Sequence, residues 1–120
     1  MSYVDGFVVP VPESNLKTYR SIAQKAGKIW KEYGALHYVE AVGDDLDVQF
    51  GLSFKKAFKP KPGETLLFSF IIYKSRADRD RINKKVMADP RMNKMMQSGQ
   101  EMPFDVKRMC YGGFKSIVDM

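Results

Sequence analysis

Two carboxylates in otherwise apolar stretches are the clearest candidates for chemistry in this sequence. Asp5 lies in the β-prone run of residues 3–11, and Glu40 lies in a similar run, residues 36–42, beside Tyr38. An unpaired buried charge is too costly to keep, so each acid must lie at an edge, accept hydrogen bonds or face a wet cavity. Both could line one cavity if their strands are neighbours. The alternative is that both lie at a subunit edge, paired with lysine or arginine.

Other catalytic signatures are weaker. His37 is the only histidine and Cys110 the only cysteine. A lone histidine in a strand is usually exposed or hydrogen-bonded. Lys107 and Arg108 could favour the Cys110 thiolate, but with the histidine far away in sequence we interpret this cysteine as structural. The acidic turn of residues 43–47 lacks the spacing of a calcium loop. Because no nucleophile triad, paired zinc ligands or nucleotide-binding glycine motif is present, we expect neither metal nor cofactor.

Composition is typical of a globular protein. The 120 residues, 44% apolar and 28% charged, are enough for one domain with a real core, so we predict a single domain over residues 1–120. No apolar run approaches the roughly 18 residues that span a bilayer, and the first residues do not resemble a secretory signal. A single cysteine fits a reducing compartment. We therefore expect a cytoplasmic protein without a membrane partner.

The net charge of +6 is unevenly distributed. Lysines are grouped at residues 55–61, and bases recur over residues 74–94. Grouped bases could neutralise the phosphates of a nucleic acid, or they could form an ordinary solvated loop and helix face. Asp78, Asp80 and Asp89 interrupt the second group, and no aromatic RNA-binding motif is present. The solvated interpretation is favoured.

The first part of the chain reads as strand, helix, strand. The strand of residues 3–11 is closed by prolines at positions 10 and 12. The next apolar residues advance by three or four positions and end before Gly34, which is typical of a helix. They are Leu16, Tyr19, Ala23, Ala26, Trp30 and Tyr33. Trp30 could stack on a ligand, but at this spacing a place in the core is favoured. Residues 36–42 form the second predicted strand.

The rest of the chain repeats this plan. We predict a short strand at residues 48–54, a loop rich in proline and lysine at 55–63, and a buried strand at 66–73. Ser75 and Asp78 resemble a capping box, so a helix should begin there and end at Asp89-Pro90. A short helix at residues 91–97 and a last strand within 107–120 complete the order. Gly112-Gly113 in that strand suggests a bulge or a close backbone approach.

Six of the eight methionines fall between Met87 and Met109. Methionine adapts to irregular surroundings, so these side chains could cover a pocket that accepts varied ligands. A loosely specified core beneath a loop explains them equally well.

This order of elements predicts an α+β fold of the ferredoxin-like βαββαβ type. It contains a four-stranded antiparallel sheet with its two main helices on one face. The open face would carry residues such as Phe68 and Phe70, or Ile71 and Tyr73, which are too apolar for water. Two open faces packed together would bury them, so we predict a homodimer.

Four segments resemble the YbaA-like family, domain of unknown function 1428. They are YVDGFVVPVP at residues 3–12, the helix and turn at 19–36, the stretch that starts with YKSRAD at 73–91, and MPFD and YGGF within 102–114. The resemblance covers essentially the whole chain and implies a dimeric α/β-barrel of ferredoxin-like protomers. It implies no particular reaction, because the wider fold group includes cofactor-free monooxygenases, isomerases, haem-dependent enzymes and stress-response proteins.

Three hypotheses follow. The first is a small-molecule enzyme with Glu40, Asp5 and Tyr38 as its catalytic residues, since a carboxylate in an apolar cavity should have a raised pKa suited to proton transfer. A deprotonated substrate could then isomerise or react with oxygen without a cofactor. Haem would have only His37 as a histidine ligand. The predicted ligand-binding residues are Trp30, Phe70, Arg79, Met102, Arg108 and Tyr111. The second hypothesis is a non-catalytic ligand-binding or stress-response module, and the third is RNA binding through the lysine-rich surface.

Overall fold

A four-stranded antiparallel sheet forms the centre of the protein. The computed structural model describes residues 1–96 and 102–120. Within them the strands are β1 (Tyr3–Pro12), β2 (His37–Val42), β3 (Glu64–Tyr73) and β4 (Cys110–Lys115), in the spatial order β2-β3-β1-β4. The helices are α1 (Leu16–Glu32), α2 (Phe54–Phe58), α3 (Arg76–Ala88) and α4 (Pro90–Met96). Short 3-10 turns, Glu13–Asn15 and Val106–Arg108, precede α1 and β4.

This topology confirms the predicted ferredoxin-like order of strands and main helices. Helices α1 and α3 lie against the same face of the sheet, where Ile71 and Tyr73 of β3 pack with Ile29 of α1 and with Ile82 and Val86 of α3. Each of these five residues is at most 3% exposed. Alternation along β3 therefore places one set of side chains in the core and leaves the other set on the opposite face.

Local signals explain where the elements begin and end. The Ser75 side chain accepts a hydrogen bond from the Asp78 N–H at 3.1 Å, which caps α3 as predicted. Strand β1 tolerates its prolines because β4 pairs with it only from Tyr3 to Val8. Beyond that point β1 has β3 as its one hydrogen-bonded neighbour, so Pro10 and Pro12 leave no ladder bond unmade on the other side.

The prediction of a strand at residues 48–54 is wrong. No strand forms there, and α2 begins at Phe54, capped by the Ser53 side chain, which accepts from the Lys56 N–H at 3.2 Å. The predicted loop at 55–63 accordingly starts as a helix, which ends where Lys59 adopts a left-handed φ of 48°. The short helix predicted at 91–97 is confirmed through Met96, and the end of that prediction, with the loop at Gly99, lies outside the described residues.

The second face of the sheet is apolar and partly exposed. It carries Phe68 and Phe70, whereas Ile71 and Tyr73 face the helices, which decides between the two predicted alternatives. Phe68 is 46% exposed and Phe114 of β4 is 62% exposed. The Phe54 ring of α2 contacts Phe68 from this side, with the ring centroids 6.2 Å apart. No helix in residues 1–96 or 102–120 has the length and apolar character that a membrane span requires.

Candidate functional site

A cavity of about 510 Å³ lies between the sheet and the helices. Asp5 of β1 and Glu40 of β2 both line it. Their strands are not neighbours, but both pair with β3, where Asp5 lies opposite Ile71 and Glu40 opposite Ser69. Two strand spacings and a register difference of two residues put their Cα atoms about 12 Å apart. The two acids found in the sequence therefore occupy separate parts of one cavity.

The Glu40 centre consists of Glu40 and three hydroxyl donors. Tyr19 of α1 donates to Oε1 at 2.7 Å, and Tyr38 donates to Oε2 at 2.9 Å. Ser69 of β3 also donates to Oε1. None of the seven ion pairs found in the described part of the chain includes Glu40. Neutral hydroxyls, and no cation, therefore hold this carboxylate.

The two tyrosines of this centre remain donors over a wide pH range. Burial, followed by the negative charge of Glu40, raises the pKa of Tyr19 and of Tyr38 far above the ordinary value for a phenol. A phenol next to a carboxylate in a partly desolvated site loses its proton reluctantly, because a second negative charge would result. Both hydroxyls therefore orient Glu40 and leave it as an acceptor.

The Asp5 centre is built around an ion pair. Asp5 is 1% exposed, and its Oδ1 lies 3.4 Å from Nη1 of Arg79 on α3. Tyr111 of β4 donates to the same oxygen at 3.2 Å, and Asn83 donates to Oδ2 at 3.4 Å. Arg79 also donates to the hydroxyls of Tyr111 and Tyr3, at 2.8 and 3.2 Å. The buried carboxylate therefore has a cationic partner, and both Nη atoms of that partner donate to neighbouring tyrosine hydroxyls.

Asn83 connects this centre to the middle of the cavity. Its Oδ1 accepts from Trp30 Nε1 at 2.9 Å and from the Tyr73 hydroxyl at 3.2 Å. Burial, followed by the charge of Asp5, raises the pKa of Tyr73. Trp30 also packs against Tyr38, with ring centroids 6.0 Å apart. Trp30 therefore belongs to the core cluster and lines the cavity as well, which combines the two interpretations of this residue.

Two glycines allow aromatic rings to approach the backbone at these centres. A Cβ on Gly113 would lie 2.5 Å from the Tyr3 hydroxyl, and a Cβ on Gly27 would lie 2.7 Å from the Tyr38 ring. Strand β4 pairs with β1 in unbroken register through Gly112 and Gly113. Of the two interpretations of that glycine pair, the close approach is confirmed and the bulge is wrong.

Methionines form much of the remaining wall. All six methionines of the predicted group line the cavity, namely Met87, Met92, Met95, Met96, Met102 and Met109. Met92, which is 6% exposed, also belongs to the main core cluster. Thioether side chains fill irregular space and adapt to different ligand shapes. This wall could therefore accommodate apolar groups of different shapes.

Most residues predicted for the site are brought together. Those that line the cavity are Asp5, Trp30, Tyr38, Glu40, Met102 and Tyr111. Arg79 does not line the cavity itself and contacts Asp5 and Tyr111, which do.

Phe70 and Arg108, which were also predicted as ligand contacts, do not line this cavity. Phe70 faces away from the cavity because it is one residue out of phase with Ser69 and Ile71. Arg108 instead forms a bidentate pair with Glu64, at 2.8 and 2.9 Å.

Three polar residues of the site were not predicted from the sequence. Ser69 had a usable signal, since it is the one polar side chain within the apolar run of residues 66–73. Tyr19 was assigned to the apolar stripe of α1, where its ring belongs but its hydroxyl reaches Glu40. Asn83 sits among charged residues of α3, and nothing in its local sequence separates it from a solvated position.

Comparison with known sequences gives a family and a relative. A family model described as "Protein of unknown function (DUF1428)" matches residues 2–106. The chain is 47% identical over 119 residues to "Uncharacterized protein YbaA" of Escherichia coli (strain K12), covering 99% of each chain. A protein of the same name from Shigella flexneri matches to the same extent.

Comparison with solved structures supports the fold. Rv0793 from Mycobacterium tuberculosis superposes with a TM-score of 0.58 at 13% identity, over 99% of this chain and 98% of that one. A dimeric ferredoxin-like protein from an uncultured marine organism gives a TM-score of 0.57 at 12% identity, over 100% and 98% of the two chains. At such identities the likeness concerns the ferredoxin-like fold and carries no residue roles.

Proposed function

The chain belongs to the DUF1428 family, whose description names no activity, and from the geometry of its site we propose that it binds a small molecule in the cavity between sheet and helices. The observation that carries this proposal is the Glu40 centre. Among the described residues this carboxylate is held by hydroxyls alone, and in a cavity with apolar walls it offers an oriented acceptor to a ligand. The volume of the cavity, about 510 Å³, lies within the usual range for small-molecule sites.

The composition of the wall agrees with this role. Small-molecule sites combine a mainly apolar and aromatic lining with a few polar groups that fix orientation. Here the methionines and the rings of Phe7, Trp30 and Phe104 supply the lining, and Glu40 and Asp5 mark two polar regions. An elongated ligand with an apolar body and one hydrogen-bond donor would match both properties.

A second candidate function is proton transfer by Glu40, and the absence of a cation at this carboxylate among the described residues favours it. Glu40 would take a proton from a C–H or O–H group of the ligand, with Tyr38 as an orienting residue. The resulting anion would isomerise or react with oxygen, as in a cofactor-independent isomerase or monooxygenase. The alternative is a carrier or stress-response module that uses the same cavity without chemistry.

Glu40→Gln separates these possibilities. It keeps the shape and one acceptor oxygen but removes the charge and the basic site. An enzyme would lose turnover by about 100-fold or more, whereas a carrier would change its affinity and release the same ligand unaltered. Ligand extracted from the wild-type protein and incubated with each form provides the assay, with Glu13→Gln as the control on the exposed surface.

We further propose that two copies pack through the apolar second face of the sheet. Phe68, Phe114 and Val39 are 46%, 62% and 37% exposed there, and contiguous exposed apolar surface commonly marks an interface. The dimeric ferredoxin-like relative in structure is consistent with such an arrangement. Light scattering should give the mass of a dimer, and Phe68→Asp should give a monomer.

Native mass spectrometry of freshly purified protein tests both proposals together. The expected result is a dimer carrying a small-molecule mass that is lost under denaturing conditions. A dimer whose mass never exceeds that of the chains, even after incubation with a metabolite extract, would overturn the binding proposal. A monomer at micromolar concentration would overturn the dimer and leave the cavity proposal to the ligand measurement.

A further inference from the structure

We propose that the ligand of this cavity is an organic cation, whose protonated nitrogen binds at the Glu40 centre and whose apolar body lies along the methionine wall. This inference rests on the proposed small-molecule binding and names its chemical class. It is supported by the charges of the cavity, the unused acceptor on Glu40 and the aromatic rings around it.

The described lining of the cavity is negatively charged. It contains two carboxylates, Asp5 and Glu40, and no lysine or arginine. Arg79 neutralises Asp5 from beside the cavity, at 3.4 Å. Residues 97–101, which the structure does not describe, contain no basic residue in the sequence. Among the described lining residues, Glu40 is therefore the carboxylate whose charge is left for a ligand to compensate.

The hydrogen bonds of Glu40 leave room for another donor. A carboxylate has about four acceptor sites, and Oε1 accepts from Tyr19 and Ser69 while Oε2 accepts from Tyr38 alone. A charge removed from water is costly unless it is paired. An ammonium group on Oε2 would supply both the fourth hydrogen bond and the opposite charge, and charge-assisted bonds are the stronger kind.

Aromatic rings surround this position. Tyr19 and Tyr38 contact Glu40 through their hydroxyls. Phe104 packs against Tyr19 at 5.7 Å, and Trp30 packs against Tyr38 at 6.0 Å, both measured between ring centroids. All four rings line the cavity. Aromatic faces attract organic cations, most strongly where water is excluded, so rings and carboxylate favour the same class of ligand.

Basic residues near Glu40 do not occupy this role. Glu40 also borders an outer groove between α1 and β2, whose rim carries Arg20, Lys28 and Lys31. All three are exposed, and none forms an ion pair with Glu40. Lys31 donates instead to the carbonyl of Leu36 at 2.7 Å. At physiological salt, interactions between exposed charges more than about 8 Å apart are largely screened. The net charge of +6 therefore affects how fast a cationic ligand approaches the protein more than how tightly it binds inside the cavity.

Three probes with the same body and different end groups test the proposal. They are 4-phenylbutylamine, 4-phenylbutanol and 4-phenylbutanoate, and their dissociation constants are measured at pH 7 by calorimetry or ligand-observed NMR on the full chain. We expect the amine to bind about tenfold more tightly than the alcohol, because its bond to Glu40 is charge-assisted. The carboxylate should not bind, because it would place a second negative charge beside Glu40.

Variants test whether the tighter binding of the amine depends on Glu40. In Glu40→Gln the amine should lose its tenfold advantage while alcohol binding changes little. Glu13→Gln, which removes the same charge from the exposed turn before α1, should keep it. Glu40→Asp, which retains the charge, should keep part of it. Circular dichroism melts check that each variant is folded. If Glu40→Gln does not fold, the comparison of the three probes on wild-type protein still tests whether a cation is preferred.

The possible failures are distinguishable. If amine and alcohol bind wild-type protein equally, the cation proposal is overturned and the binding proposal stands. If the amine keeps its advantage in Glu40→Gln, the cation lies elsewhere and the assignment to Glu40 is overturned. If none of the three probes binds at millimolar concentration, both the cation proposal and the proposed small-molecule function are overturned.

Discussion

The two acids that look alike in the sequence have opposite surroundings in the fold. Asp5 is almost fully buried against the Arg79 guanidinium, and Tyr111 and Asn83 also donate to it. Glu40 is less buried, and among the described residues three hydroxyls donate to it and no cation pairs with it. The charge of Asp5 is therefore paired with a guanidinium, whereas the charge of Glu40 faces the cavity without a cationic partner among the described residues.

This difference predicts a structural role for Asp5 and agrees with the functional role proposed for Glu40. The Asp5 centre ties α3 to β1 and β4, because Arg79 reaches side chains on both strands. The Glu40 centre ties α1 to β2 and β3 through hydroxyl donors to a carboxylate that has no cationic partner in the described part of the chain. Acid-to-amide changes at the two positions should therefore affect stability very differently.

The largest expected effect comes from Asp5→Asn. It removes the buried carboxylate of the pair and leaves Arg79 with the exposed Asp80 as its ion-pair partner among the described residues, and removing one member of a buried pair typically costs about 3 kcal/mol or more of unfolding free energy. The matched change Glu40→Gln weakens the charge-assisted hydrogen bonds from the hydroxyls but leaves no buried ion unpaired, so it should cost less, about 1.5 kcal/mol. Urea unfolding at pH 7 measures both. Equal losses would mean that the two centres do not differ as described.

Gly113→Ala should have the next largest effect. The new Cβ would lie 2.5 Å from the hydroxyl of Tyr3, a residue only 7% exposed whose hydroxyl accepts from Arg79. Overpacking of this kind costs about 2 kcal/mol. In the neighbouring control Gly112→Ala, the nearest atom would lie 3.6 Å away on Phe114, so the change should be close to neutral. Thermal unfolding measures the stability of both variants. If Gly113→Ala is as stable as the wild-type protein, the Tyr3 side chain is free to move away from the new Cβ.

The fold was predictable because its signals are local. The apolar stripe of residues 16–33 and the capping residue Ser75 mark α1 and α3 without reference to the rest of the chain. The predicted strand at 48–54 failed because β-prone composition does not supply a pairing partner. Phe50 and Leu52 are 94% and 72% exposed, so no sheet covers them, and the cap at Ser53 starts a helix instead.

The site was predictable only in part. Alternation along the strands identified Asp5 and Glu40, but their partners depend on packing between distant segments, as the Asp5–Arg79 and Glu40–Ser69 contacts illustrate. Phe70 was misplaced because a shift of one residue moves a side chain to the other face, and the sequence does not state which face the helices cover.

Removal of one hydroxyl at each centre sharpens the comparison further. Tyr38→Phe removes a donor to the charged Glu40, and hydrogen bonds to charged groups contribute about 1.5 kcal/mol. Tyr73→Phe removes a donor to the neutral amide of Asn83, which keeps its bond from Trp30, so we expect a loss of about 1 kcal/mol or less. Urea unfolding at pH 7 compares the two variants. A larger loss for Tyr73→Phe would mean that the Tyr38 bond to Glu40 is no stronger than the Tyr73 bond to the Asn83 amide.

The smallest expected effect is on stability at high pH. Burial and the nearby charge of Glu40 raise the pKa of Tyr38 in the folded protein, while in the unfolded chain it stays near 10. The unfolded state therefore releases the proton first, so this contribution to stability is complete below pH 10 and is lost as the pH rises above it. Between pH 10 and 11 one such tyrosine lowers the unfolding free energy by about 1 kcal/mol.

Tyr38→Phe removes that titration, so its unfolding free energy should fall by about 1 kcal/mol less than that of wild-type protein over this pH interval. Urea midpoints at pH 7, 10 and 11 for both proteins give the difference directly, because the titration of lysines is common to the two. Parallel losses would mean that the Tyr38 hydroxyl ionises as readily in the fold as in the unfolded chain. Glu40 could then not carry the uncompensated negative charge that distinguishes its centre from that of Asp5.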